Sequence, residues 1–189
     1  MLEGLGLRFF LRPQHIDESA LTTEDPTSYV LRLAAAKARS AMSEWRATEK
    51  TPRDAVFLGA DTVVVQDGHL LGKPQTRADA KETIERLGGR SHRVITGFWL
   101  EAGCGGNHHG TVETEVSFRP LLAREIEDYL DTGEWSDKAG GYGIQGAAAF
   151  MVDEIHGSYT NVVGLPLAQV TRALFEMGAV THLFKNMED

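Results

Sequence analysis

The sequence predicts an α/β fold, a mixed β-sheet flanked by helices, and three observations carry that prediction. Short apolar, β-branched runs such as Val63-Val64-Val65 read as buried strands. From residue 27 to about 45, apolar side chains recur at helical spacing, with Val30, Leu33, Ala34, Ala38, Ala41, Met42 and Trp45 on one face. Strand-like and helix-like segments then follow one another without a repeat, a low-complexity tract or a domain linker.

Taken in order, residues 7–12 read as a short strand, followed by an acidic connection through Asp17, Glu18, Glu24 and Asp25. The helix over 27–45 comes next, and a polar linker over 47–54, containing Pro52, ends it. Residues 56–58 and 63–65 read as two short strands broken by Gly59-Ala60-Asp61-Thr62. Asp67-Gly68 is the dipeptide of a tight hairpin. Thr76 is an N-cap for a helix ending at Gly88-Gly89, with Asp79 close to capping-box position. Residues 92–101 and 111–119 read as strands joined by a glycine-rich loop, the second alternating through Val112, Thr114, Val116 and Phe118. Residues 122–130 are helical and stop near Gly133, while 150–155 and 158–163 resemble a hairpin turning at Gly157. The last helix opens at Pro166 and stops at Gly178. Phe9, Phe57, Phe98, Phe118 and Phe150 are expected in the core.

At 189 residues the chain fits one large domain or two small lobes sharing a core, and 42% apolar residues suffice for an interior. Cys104 is the single cysteine, so neither an intrachain disulfide nor a Cys-based zinc site is possible. A net charge of −8 argues against a general nucleic-acid binder but leaves room for a small polyphosphate in a local basic pocket. No stretch approaches the roughly 18 apolar residues that span a bilayer. Residues 1–10 lack the basic and apolar regions of a signal peptide, so the cytoplasm is the expected location.

Two charged residues, Asp61 and Lys37, stand out from this packing pattern. Asp61 sits between two apolar runs, where an ionised carboxylate is expensive unless a metal, a cation or several donors compensate it. The plainer alternative is an Asp that caps its own turn. Lys37 falls inside the apolar arc of its helix and wants an anion. A lysine snorkelling to solvent, or an internal pair with Glu44, would also satisfy it. Lys73, in Leu71-Gly72-Lys73-Pro74, is presented on a defined turn, and Glu18 lies in the polar loop. Taken alone, those two read as ordinary solvated charges.

Other motifs carry less. Gly141-Tyr142-Gly143-Ile144-Gln145-Gly146 has the glycine spacing of a dinucleotide fingerprint, yet no strand precedes it and a strand-like run follows it. Its glycines fit close approach of backbone to a flat ligand or to another segment of the chain. His108 and His109 are neighbours that point in different directions and read as solvent-exposed.

Seven segments, in order, resemble the Maf family of nucleotide pyrophosphatases. They are Ile16-Asp17-Glu18, Ala34-Ala35-Ala36-Lys37-Ala38, Gly59-Ala60-Asp61-Thr62, Gly72-Lys73-Pro74, His92-Arg93-Val94-Ile95-Thr96-Gly97, Gly141 to Gly146, and Asn161-Val162-Val163-Gly164-Leu165-Pro166-Leu167. The resemblance implies one Maf-like domain over residues 1–189, with two lobes around a cleft and a fold similar to inosine triphosphate pyrophosphatases. It implies attack of water on the α-phosphorus of a nucleoside triphosphate, with Mg2+ or Mn2+ as cofactor. By position, Asp61 would be the general base or a metal-linked carboxylate, and Glu18 a second acidic group at the metal. Lys37 and Lys73 would neutralise the triphosphate. Thr62 after Asp61, and Gln145 in Ile144-Gln145-Gly146, resemble the branch that prefers dTTP and UTP. An amide at Gln145 matches the donor–acceptor edge of a pyrimidine. A house-cleaning role toward modified pyrimidine nucleotides and a homodimer are further implications.

One departure matters. Family members usually begin with a strand leading into Ser-x-Ser-Pro-Arg-Arg and a helix, whereas this chain starts at Met1-Leu2-Glu3-Gly4-Leu5-Gly6-Leu7, which resembles the end of that helix. Lysine does not replace the bidentate phosphate contacts of those arginines. Two functions are therefore carried forward: the pyrophosphatase, and a nucleotide-binding or interaction protein with weak or no turnover.

Overall fold

A computed structural model of the chain describes residues 1–48 and 55–184. An irregular N-terminal segment opens with a 3-10 turn at Glu3–Leu5 and leads to helix α1, Pro26–Thr48. Strand β1, Val56–Gln66, turns into β2, His69–Leu71. Helix α2, Arg77–Leu87, precedes β3, Ser91–Ala102, and β4, Asn107–Phe118. After α3, Ala123–Asp131, come β5, Val152–His156, the short α4, Tyr159–Val162, and α5, Leu167–Glu176. The strands form one five-stranded sheet in the order β2-β1-β3-β4-β5. This is the expected α/β class, and its β1–β2 and β4–β5 pairings are antiparallel.

Local signals account for several elements directly. Asp67 and Gly68 both take positive φ, 52° and 79°, the twist a two-residue hairpin needs to bring Gln66 opposite His69. The Thr76 side chain accepts from the Asp79 N–H, and Asp79 returns the bond to the Thr76 N–H, so α2 starts on a complete capping box. β4 buries Thr114, Val116 and Phe118 in the predicted alternation. α5 begins immediately after Pro166, and Gly178 beyond its end has a φ of 67°.

The chain divides into two compact units. The first comprises Met1–Asp61, Gly97–Thr111 and the segment from Leu165 onward. Its core gathers Phe98, Leu100, Val170, Ala173 and Leu174, with Ala34, Ala35, Ala38 and Trp99 as a second cluster. The second unit comprises Thr62–Thr96 and Val112–Gly164. Ile84, Val94, Phe118, Tyr129, Tyr142 and Met151 are among its buried residues.

Four local expectations are corrected. Residues 56–58 and 63–65 are not separate strands, because β1 runs unbroken through Gly59–Thr62 beside its neighbour β3. A hydrogen-bonded neighbour overrides the weak strand preference of that tetrapeptide. Residues 7–12 are irregular, with Phe10 and Leu11 more than four-fifths exposed. Among the described residues no strand supplies the ladder that would make them one. Residues 158–163 do not form the second arm of a hairpin. Ser158 instead caps α4, its side chain accepting from the Asn161 N–H, and β5 pairs with β4. Phe9 and Phe150 are exposed, whereas Phe98 and Phe118 are buried as expected. The predicted linker over 47–54 lies mostly outside the described residues, although α1 itself continues to Thr48. Among the described residues no helix is long and apolar enough to cross a membrane.

Candidate active site

The packing of α1 against β1 builds the first part of the site. A Cβ on Gly59 would lie 2.2 Å from the Ala34 carbonyl oxygen and 2.7 Å from the Ala38 nitrogen. On Gly97 of β3 it would lie 2.7 Å from the Val30 carbonyl. The two glycines therefore let the helix backbone rest directly on the strands, against Val30, Ala34 and Ala38, all fully buried. Gly59 and Asp61 share one face of β1, two residues apart. Lys37 emerges beside Ala38 and reaches that face.

Three of the expected residues meet here. Lys37 Nζ donates to Asp61 Oδ1 at 2.5 Å and lies 3.0 Å from Glu18 Oε1. Side-chain exposure falls from 46% at Glu18 through 23% at Lys37 to 12% at Asp61, so the acid that stands on the strand is the most sheltered. Burial opposes the charge on Lys37, but the hydrogen bonds and charges of Asp61, and then of Glu18, more than offset it and raise its pKa. The lysine is a fixed cation at neutral pH. Asp61 lies within a regular strand, which removes the turn-capping alternative. Glu44, the rival partner for Lys37, instead accepts from Gln14 Nε2 at 3.0 Å.

The loop that carries Glu18 is pinned from α1. Tyr29 Oη donates to the Glu18 carbonyl at 2.7 Å, and Arg32 donates to the Ser19 carbonyl at 3.0 Å. Arg32 also holds Glu24 through two bonds of 2.7 and 2.8 Å, which keeps that carboxyl below its usual range. Burial, and then the negative charges of Asp61 and Glu18, push the Tyr29 phenol up. Sequence reasoning missed Tyr29 and Arg32. Their spacing on one helical face was visible, but nothing local says that the face meets a loop rather than solvent.

The remaining expected residues belong to the second unit. Thr62, half-buried, shares a 2.8 Å hydroxyl–hydroxyl hydrogen bond with Thr96. Lys73 and Gln145 are both exposed. Their loops touch: the Gly140 N–H donates to the Gly72 carbonyl at 3.0 Å, and a Cβ on Gly141 would lie 3.1 Å from Pro74. The glycine-rich segment is thus a site of close backbone approach, and it leads into a 3-10 turn and β5 rather than a phosphate-binding helix. His108 and His109 stand on β4 and diverge. His108 lies 3.5 Å from Glu176, and His109 stacks on Trp99 at 4.4 Å between ring centroids.

A family model described as Maf-like protein matches residues 1–177. The chain belongs to the Maf family. Relatives of this Maf chain include a protein of Citrifermentans bemidjiense named dTTP/UTP pyrophosphatase, 45% identical over 183 residues, which span 95% of this chain and 90% of that relative. Proteins with the same name from Lacticaseibacillus casei and Clostridioides difficile are 42% and 43% identical, over 92% and 90% of this chain and 90% and 84% of their own lengths.

A second Maf feature that sequence reasoning left without a role is the buried polar group behind Thr62. Thr96, Thr114 and Asn161 are buried, and Asn161 Nδ2 donates to both the Val94 carbonyl and Thr114 Oγ1 at 3.0 Å. A threonine on the same strand face as His92 and Val94 was the available signal. Among the described residues no group of three or more His, Cys, Asp or Glu is placed to hold a metal. Asp61 and Glu18 nevertheless supply oxygen donors of the kind Mg2+ and Mn2+ prefer. Such ions are commonly held by one or two carboxylates, with substrate phosphates and water completing the shell.

Proposed function

We propose that this chain is a nucleoside triphosphate pyrophosphatase that hydrolyses dTTP and UTP to the monophosphate and pyrophosphate in the cytoplasm. The observation that carries the reading is the convergence of Asp61 and Glu18 on the protonated Lys37, joined to extensive likeness to proteins named dTTP/UTP pyrophosphatases. Asp61, held on a strand with little freedom, orients a water and takes its proton as the water attacks the α-phosphorus. Lys37 and Lys73 offset charge on the phosphoryl oxygens and on departing pyrophosphate. Thr62 and Gln145 contact the base, where hydroxyl and amide groups suit a pyrimidine edge. Glu18 and Asp61 are the residues that would hold a divalent ion, whose contribution is to polarise the phosphoryl group and stabilise its developing charge.

The test is pyrophosphate release by the purified chain from a panel of nucleoside triphosphates with Mg2+ or Mn2+. Release from dTTP and UTP should fall by about 10²–10⁴ in Asp61→Ala and stop when EDTA removes the ion. Equal release by Asp61→Ala overturns the assignment of the base, and no release from any nucleotide by the parent chain overturns the reading.

A further inference from the structure

The hydroxyl chain behind Thr62 has its protons fixed in one direction. Asn161 is fully buried, and its side-chain orientation is set because both amide protons are used, one on the Val94 carbonyl and one on Thr114 Oγ1. Thr114 is settled too, since it accepts from the Ser158 N–H at 3.1 Å and donates to the Ser158 carbonyl at 3.4 Å. The Asn161 backbone carbonyl accepts from the Gly164 N–H at 2.9 Å. It also lies 3.1 Å from Thr96 Oγ1. A carbonyl oxygen can only accept, so the single Thr96 proton points at it. Thr96 is buried and has no second proton, so its 2.8 Å contact with Thr62 requires that Thr62 be the donor. The only hydroxyl proton of Thr62 is thereby committed inward.

We infer that Thr96, anchored on the Asn161 carbonyl, locks Thr62 as a hydrogen-bond acceptor toward the nucleobase and so selects bases that present a ring N–H. Uracil and thymine carry an imide N–H at ring position 3, whereas cytosine carries a bare acceptor nitrogen there. An acceptor-only Thr62 bonds the first and repels the second. Gly164, with a φ of 112°, lies next to this hydroxyl: a Cβ built there would stand 3.6 Å from Thr62 Oγ1, at ordinary van der Waals distance. Thr96 does not touch the ligand in this scheme and is a positioning residue. The inference rests on the proposed pyrophosphatase reading for the identity of its ligand, and on geometry alone for the direction of the protons.

Two experiments separate these dependencies. Neutron diffraction from a deuterium-exchanged crystal of the unaltered protein should show the Thr62 deuteron directed at Thr96 and the Thr96 deuteron directed at the Asn161 carbonyl. The reverse order overturns the inference whether or not the protein turns over nucleotides. The kcat/KM ratio of dUTP to dCTP should then fall by about five- to tenfold in Thr96→Val, the size of one hydrogen-bond preference, because the Thr62 proton is released to serve either base. Thr96→Ser should keep the parent ratio. An unchanged ratio in folded Thr96→Val overturns the selectivity mechanism. Absence of turnover with every nucleotide overturns the pyrophosphatase reading instead, and leaves the proton order to the neutron map.

Discussion

Lys37 Nζ and Asp61 Oδ1 lie 2.5 Å apart, across the contact where α1 rests on β1. The pair is only partly open to solvent, at 23% and 12% side-chain exposure, and each charge shelters the other from an unfavourable burial. Lys37→Met should destabilise the protein by about 1–3 kcal/mol, less than a fully buried pair would cost because solvent reaches the lysine. The double variant Lys37→Met/Asp61→Leu should recover part of that loss. Because the Lys37 pKa is raised from its ordinary 10.5, its contribution is complete below that pH and is lost as pH rises through the higher folded value. The destabilisation of Lys37→Met should therefore be flat across neutral pH and shrink only under alkaline conditions. Urea unfolding at several pH values measures both effects.

Gly59 makes that geometry possible. A methyl group there would collide with backbone atoms of Ala34 and Ala38, which cannot rotate away as a flexible side chain can. Gly59→Ala should cost about 1–3 kcal/mol or more and displace Lys37 from Asp61, lowering kcat along with stability. Gly4, where an added Cβ would meet nothing within 4 Å, is the matched control, and Gly4→Ala should change the urea midpoint little.

Lys73 provides the contrast with Lys37. It is exposed on its turn, so Lys73→Ala should leave thermal unfolding within about 0.5 kcal/mol of the parent. It should still raise KM for the triphosphate or lower kcat/KM, and more steeply at low ionic strength, where the lysine charge is less screened. Steady-state assays beside a melting curve separate the two outcomes. A drop in melting temperature matching the loss of activity would count against a substrate role.

His92 sets an acid limit on stability. It is buried, with Nε2 2.7 Å from the Tyr142 hydroxyl and Nδ1 without a hydrogen-bond partner among the described residues. Burial pushes its pKa from 6.5 down to about 4. Between those values the unfolded chain binds a proton that the folded chain refuses, so stability falls as pH drops from 6.5 toward 4. The full gap corresponds to about 3 kcal/mol. Other carboxylates titrate over the same range, so the measurement is the difference in unfolding free energy between the parent and His92→Gln. That difference should move in favour of the variant as pH falls, and a pH-independent difference would refute the assignment.

Much of the architecture was legible in the sequence. The Asp67-Gly68 hairpin, the Thr76 capping box, the alternation of β4 and the apolar face of α1 are short-range patterns, set by neighbours within a few residues. Asp61 and Lys37 were also visible, because a charge on an apolar strand or helical arc conflicts with its own local pattern. Their partners were not. Which anion meets Lys37, why Glu18 on its loop reaches it, and that Tyr29 and Arg32 hold that loop in place all depend on contacts between segments 11 to 24 residues apart. Tertiary structure likewise decided that β1 runs through Gly59–Thr62, that residues 7–12 stay irregular, and that Ser158 starts a helix turn. In each case a neighbouring strand or capping group, present or absent, outweighed the intrinsic preference of the segment. The sequence by itself determined which residues were out of place in a packed α/β chain. Only the fold decided what those residues face, since the energy of a buried charge or hydroxyl is set by atoms brought to it from elsewhere in the chain.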